Sequence, residues 1–178
     1  MAQMQEGKNK ILLFRNLKEQ GDVDGIKLVF QTGHTFTMSR AIDKVNTKDG
    51  SINKIGDLET EVSIEAIQAK TDPVGDMLRQ SVIDGDTLEL WEVTIDEELK
   101  VDGKYPAVYA QGNLDQWEWT ADVDDEATIS STFFVNLNPQ FGYTALTEEQ
   151  EEAVQYAFRD TLALSEVGEG DDGGGVEG

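Results

Sequence analysis

The chain contains no cysteine and a single histidine, His34. The first absence excludes disulfides, thiolate nucleophiles and cysteine metal sites. The second leaves no histidine cluster for metal or acid–base work, and a lone histidine is far more often structural or solvated than catalytic. No serine sits in a nucleophile-elbow context, no GxxxxGK[ST] is present, and no glycine-rich phosphate cradle follows a strand. No apolar run approaches the ~20 residues that cross a bilayer. The first ten residues, MAQMQEGKNK, lack the apolar stretch of a signal peptide, so the expectation is a chain made in a reducing cytoplasm. Positive charge is scarce: 14 Lys and Arg face 36 Asp and Glu, for a net charge of −22. Tight nucleic-acid binding is disfavoured, because such affinity comes largely from cations neutralising phosphates.

The scarce cations are unevenly placed. Nine of the 14 lie in residues 1–56, against six acids. Residues 57–178 hold five basic and thirty acidic residues. Two readings follow. The acidic excess confers solubility, or the weakly basic part of one copy meets the acidic part of another.

At 178 residues and 38% hydrophobic, the chain can bury one core of ordinary size. Residues 1–9 read as a flexible arm and Lys10–Leu17 as a first strand. A Gly/Asp turn over 21–25 leads to alternating Ile26–Thr32. Leu58–Ile67 alternates cleanly, with Leu58, Thr60, Val62, Ile64 and Ala66 on one face. Glu59, Glu61, Ser63 and Glu65 occupy the other, which must see water or a partner's cations. Asp72–Ile83 carries helix signals: a Thr71 or Asp72 cap, Pro73 in the first turn, an apolar stripe of Val74, Met77, Leu78 and Val82, and Gly85 as a stop. Strands are expected at Thr87–Ile95, Tyr105–Ala110, Asp115–Ala121 and Thr128–Leu137, with a turn at Val101–Lys104. Thr147–Leu164 reads as a second helix, opened by a Thr147/Gln150 capping box. Residues 165–178 form an acidic, Gly-rich tail expected to be disordered. Residues 1–164 are thus one mainly β domain: a β-sandwich or barrel with one flanking helix, a long protruding loop and a C-terminal helical segment.

The protruding loop is Gly33–Gly56. Roughly two dozen residues separate the two strand patterns, where about 4–6 is usual. The segment combines apolar Phe36, Met38, Ile42, Val45 and Ile52 with basic Arg40, Lys44, Lys48 and Lys54. Lys48, Asp49 and Gly50 form its sharpest turn. It is expected to be an arm that docks on another subunit, with Phe36, Met38 and Ile42 buried and the cations facing a neighbour's carboxylates.

Two other features invite ligand readings. Asp122–Glu126 could attract Ca²⁺ but lacks EF-hand spacing, and a solvated turn is the stronger reading. Trp117 and Trp119, at i and i+2, suggest a carbohydrate platform, or more commonly a core or interface pair. A carbohydrate- or receptor-binding module is therefore the alternative function, and a hydrolase using paired carboxylates a weaker third.

The order of features resembles the major tail protein family of long, non-contractile-tailed bacteriophages. The matching residues are Met1-Ala2-Gln3, Gly7-Lys8, Ile11–Phe14, Phe30-Gln31-Thr32, Thr47–Ser51 and Gly56–Glu61. The Thr47-Lys48-Asp49-Gly50 turn followed by the Gly56–Glu59 strand start is the most specific. Looser likeness runs through Asp72–Ile83, Leu90-Trp91 and Thr147–Leu164, so the resemblance covers residues 1 to about 162. It implies a non-enzymatic structural protein of the virion tail, assembled in the host cytoplasm, without cofactors, metals or membrane insertion. It implies six copies per ring, and rings stacked into a tube around a tape measure protein. Terminator and distal tail proteins would meet the tube ends, and double-stranded DNA would later pass through without sticking. It further implies that the long loop contacts a neighbouring subunit or ring.

Overall fold

The structure, a computed structural model, describes residues 3–148 and 150. The chain divides into two compact units, Met1–Leu146 and Thr147–Gly178. In the second, Thr147 and Gln150 make the expected reciprocal capping box: the Thr147 N–H donates to Gln150 Oε1 at 2.8 Å, and the Gln150 N–H to Thr147 Oγ1 at 3.2 Å. The rest of the expected second helix, the domain end at Leu164 and the tail 165–178 lie outside the described residues.

Eight strands and one helix build the first unit: β1 (Lys10–Asn16), β2 (Ile26–Lys27), β3 (Gln31–Thr47), β4 (Gly50–Ile67), α1 (Pro73–Asp84), β5 (Leu88–Thr94), β6 (Tyr105–Leu114), β7 (Glu118–Thr120) and β8 (Thr128–Thr144). The strands form one antiparallel sheet in the order β2-β1-β5-β6-β8-β4-β3, with β7 on β8. The mainly β fold with a flanking helix agrees with the expectation. Helix α1 starts and stops where the sequence signals it. Asp72 accepts the Val74 N–H at 3.1 Å, Pro73 opens the first turn, and Gly85 ends it at φ 70°.

One sheet face carries the core. Leu12 and Phe14 of β1, Leu88 and Leu90 of β5, Phe133 of β8, and Val62 and Ile64 of β4 bury their side chains there with Val74 and Leu78 of α1. Each such burial is worth roughly 1.5–3 kcal/mol.

A side chain draws the two ends of the sheet together. The Leu12 N–H donates to Gln31 Oε1 at 3.0 Å, and Gln31 Nε2 donates to the Leu12 and Leu28 carbonyls at 2.7 and 3.0 Å. The amide of Gln31, at the start of β3, thus takes the place of a peptide group on the open edge of β1. Beside this seam, buried Glu92 of β5 accepts from His34 Nε2 of β3 at 2.7 Å and from Lys10 Nζ of β1 at 3.2 Å. An ionised carboxylate only accepts, so the His34 nitrogen carries the proton. Burial alone would push the Glu92 carboxyl up, but hydrogen bonding and charge from His34 and Lys10 hold it below its ordinary range. His34 is therefore a structural tie between two ends of the sheet.

Two strands part company at one point. β4 pairs with β8 only from Glu61↔Phe134 to Ile67↔Thr128. Beyond Phe134, β8 continues along β6 to Tyr105↔Thr144, while β4 continues with β3 alone. Gly112 sits at this fork, opposite Val135. A Cβ there would lie 2.0 Å from the Phe134 carbonyl oxygen and 2.8 Å from its carbon. Gly112→Ala must therefore displace backbone and should cost roughly 3 kcal/mol in urea unfolding of the unassembled subunit. Gly142→Ala, where a Cβ meets nothing within 4 Å, is the control and should change stability little.

A second prediction concerns acid. Because the folded-state pKa of Glu92 lies below its ordinary 4.5, its stabilisation is fully present above that pH and is lost as the pH falls below it. Glu92→Gln should shallow the acid limb of the stability–pH curve. An unchanged limb would show that the seam carries no such linkage.

Candidate assembly interface

The segment expected as a loop over Gly33–Gly56 is instead a β-hairpin. β3 runs unbroken to Thr47, Lys48 and Asp49 make a two-residue turn, and β4 starts at Gly50 with φ 131°. The strand expected at Leu58–Ile67 is the root of the hairpin's second strand, whereas the one expected at Ile26–Thr32 is split: Ile26–Lys27 form β2 on β1, Leu28, Val29 and Phe30 lie outside any strand, and only Gln31 and Thr32 open β3. The physical reason is exposure. A strand with solvent on both faces needs no hydrophobic alternation, so its composition imitates a loop. β-Branched Thr35, Thr37, Ile42, Val45, Thr47, Ile52 and Ile55 are the signal that could have revealed it.

Past the fork, residues 50–60 of β4 and their partners in β3 project as a two-stranded arm. At ~3.3 Å per residue the projection is roughly 35 Å. Among the described residues, no strand pairs with the outer edge of β3, nor with β4 over residues 50–60 on its far side.

The arm has two distinct faces. By strand alternation and register, Phe36, Met38, Arg40, Ile42 and Lys44 of β3 share a face with Leu58 and Ile55 of β4. This face continues the core-facing surface of the sheet. Phe36 still packs against the core. Beyond it, Met38, Ile42 and Ile55 are 47%, 62% and 64% exposed. Five of the sequence-predicted contact residues thus stand in one row. Lys48, Asp49 and Gly50 form the tip, where Thr47 Oγ1 donates to the Gly50 carbonyl at 2.7 Å. Lys54 lies on the opposite face, in register with Asp43. Leu58 continues the apolar face read from the sequence, whereas Ile55 was not singled out, because a bulge shifts the register between them. Gly56 and Asp57 together oppose Ala41, which returns Ile55 to the apolar row.

The charges of the arm divide by role. Arg40 Nη1 donates to the Gly56 carbonyl at 2.8 Å, so part of its guanidinium braces the bulge. Lys44, Lys48 and Lys54 form no ion pair among the described residues. Lysine on an open edge also discourages indiscriminate pairing. At the root, the non-core face of β4 exposes Glu59, Glu61, Ser63 and Glu65, in the alternation read from the sequence.

The features that suggested ligands fit a surface rather than a pocket. Trp117 packs against the core while Trp119 is 59% exposed, so the two indoles do not form one platform. Asp122–Glu126 is an exposed turn between β7 and β8. No group of three or more His, Asp or Glu suited to holding a metal occurs among the described residues. No described helix is long and apolar enough to cross a membrane.

Known proteins agree with this architecture. A model of phage tail tube proteins matches residues 4–141. A protein described as a tail protein in Staphylococcus phage phiMR25 is 30% identical over 170 residues, covering 90% of this chain and 85% of the relative. The SPP1 tail tube, solved by solid-state NMR and cryo-EM, superposes with a TM-score of 0.71 at 13% identity, covering 93% of this chain and 95% of that one. The tail of an empty gene transfer agent particle, refined with C6 symmetry, gives 0.60 at 14% identity over 80% of this chain and 100% of that one. At such identities the two structures speak for the fold. The family match spans most of the chain, and by it the chain belongs to the phage tail tube proteins, structural components of the virion tail.

Proposed function

We propose that this chain assembles, without enzymatic activity, into rings of six that stack into the tail tube, and that the β3–β4 arm is the contact by which one copy holds another. The observation that carries the reading is the arm itself. An isolated two-stranded hairpin is marginal in water. This one leaves both edges unpaired and exposes Met38, Ile42 and Ile55. A neighbouring subunit would bury that row and supply carboxylates for Lys44 and Lys48. The ring number is supported by the C6 symmetry used for the structurally similar gene transfer agent tail.

The lumen would hold a tape measure protein before DNA passes, and terminator and distal tail proteins would meet the tube ends. Glu59, Glu61 and Glu65 make the exposed face of β4 a suitable wall for that lumen. Fixed negative charge repels phosphates, so a passing duplex would slide without adhering.

Two experiments bear on this reading. Replacing residues 41–56 with an Asn-Gly turn should leave a soluble subunit of nearly unchanged melting temperature that forms no tubes by negative-stain electron microscopy. Normal tubes from this variant would remove the arm from assembly. Converting Glu59 and Glu61 to Lys should leave tubes intact but slow DNA ejection from phage carrying them. Unchanged ejection would place the lumen wall elsewhere.

A further inference from the structure

The arm needs a receiving surface on the next copy, and a second apolar segment, this one strained, lies at the other end of the same hairpin. Residues 23–30 expose Val23, Ile26, Val29 and Phe30. Phe30, 61% exposed, adopts φ 52°, a conformation costly for a bulky side chain.

The strain has a visible cause. Leu28 is wholly buried in the core and Gln31 is tied to Leu12 at the seam. The Phe30 carbonyl accepts the Ile67 N–H at 3.0 Å. The two residues between these anchors are thrown outward. Glycine or asparagine would satisfy such a turn without strain. A phenylalanine there leaves most of its ring in water, so the ring is placed for something outside its own subunit.

The geometry points to this segment as the dock for a second copy's arm, an assignment that rests on the assembly reading above. Three observations select the occupant. First, the surfaces match in kind: a segment that exposes Val29 and Phe30 and, earlier along it, Asp22 and Asp24, against a strand that exposes Met38 and Ile42 with Lys44 and Lys48 further along it. Second, the chain cannot dock on itself. Phe30 immediately precedes β3, whose 17 residues carry the arm tip roughly 50 Å away. Third, arm and dock are different surfaces at opposite ends of one hairpin. Their contact is therefore heterologous and propagates from copy to copy, as a tube requires.

The absence of cysteine makes the test clean. Ile42→Cys and Val29→Cys, combined in one full-length chain, should give on oxidation of assembled tubes a ladder of three or more covalently joined copies. Either substitution alone should give none. Phe30→Gly relieves the strained φ and removes the ring, so it should keep the circular dichroism and melting temperature of the parent while losing tubes. Tubes from the double variant with no ladder beyond dimers, or normal tubes from Phe30→Gly, would overturn the dock while leaving the arm in place. Failure of the unmodified chain to form tubes would instead sink the assembly reading itself.

Discussion

The rest of the structure depends on one unmet demand: a two-stranded ribbon that cannot satisfy its own surfaces. Backbone groups along both edges of the arm have no strand partner among the described residues, and its apolar row faces water. Such a ribbon gains stability only when something pairs with it or covers it. On the reading proposed above, a tail tube protein turns that deficiency to use, the missing partner being another copy. The arm is also guarded against wrong pairing by edge lysines and by the bulge at Gly56 and Asp57.

The body of the subunit is organised to hold the arm out. At Glu61↔Phe134 the sheet divides, and Gly112 permits the close approach on which that fork depends. Two polar contacts fix the root. Gln31 substitutes its side-chain amide for a strand at the edge of β1, and His34 ties β3 to Glu92 of β5. Both anchors lie near the start of β3, so the hairpin leaves a fixed base and only its far half is without support. The same anchoring throws Phe30 outward at the base. The exposed apolar side chains at both ends of the hairpin thus follow from how its root is pinned.

Much of the body was legible in the sequence. Leu58–Ala66 alternates so strictly that both its buried face and its carboxylate face could be named. The Asp72 cap, Pro73 and Gly85 bounded the helix to within a residue. The arm was legible as a long segment mixing apolar and basic residues but not as a hairpin, because exposed strands lose the periodicity that identifies buried ones. The row Phe36, Met38, Arg40, Ile42, Lys44 was already there at spacing two, hidden by the polar residues around it. Gln31, His34 and Glu92 were not legible, since their roles exist only once distant strands are brought side by side. Trp117 and Trp119 looked equivalent, yet only the fold decides which of them faces the core.

The claim that the arm is completed by another copy is tested most directly by amide hydrogen exchange, comparing unassembled subunits with tubes. Amides of residues 38–60 should exchange rapidly in the subunit and become strongly protected in the tube, while those of β1 and β5 are protected in both. Equal protection of the arm in both states would contradict the account, because the hairpin would then be stable without a neighbour.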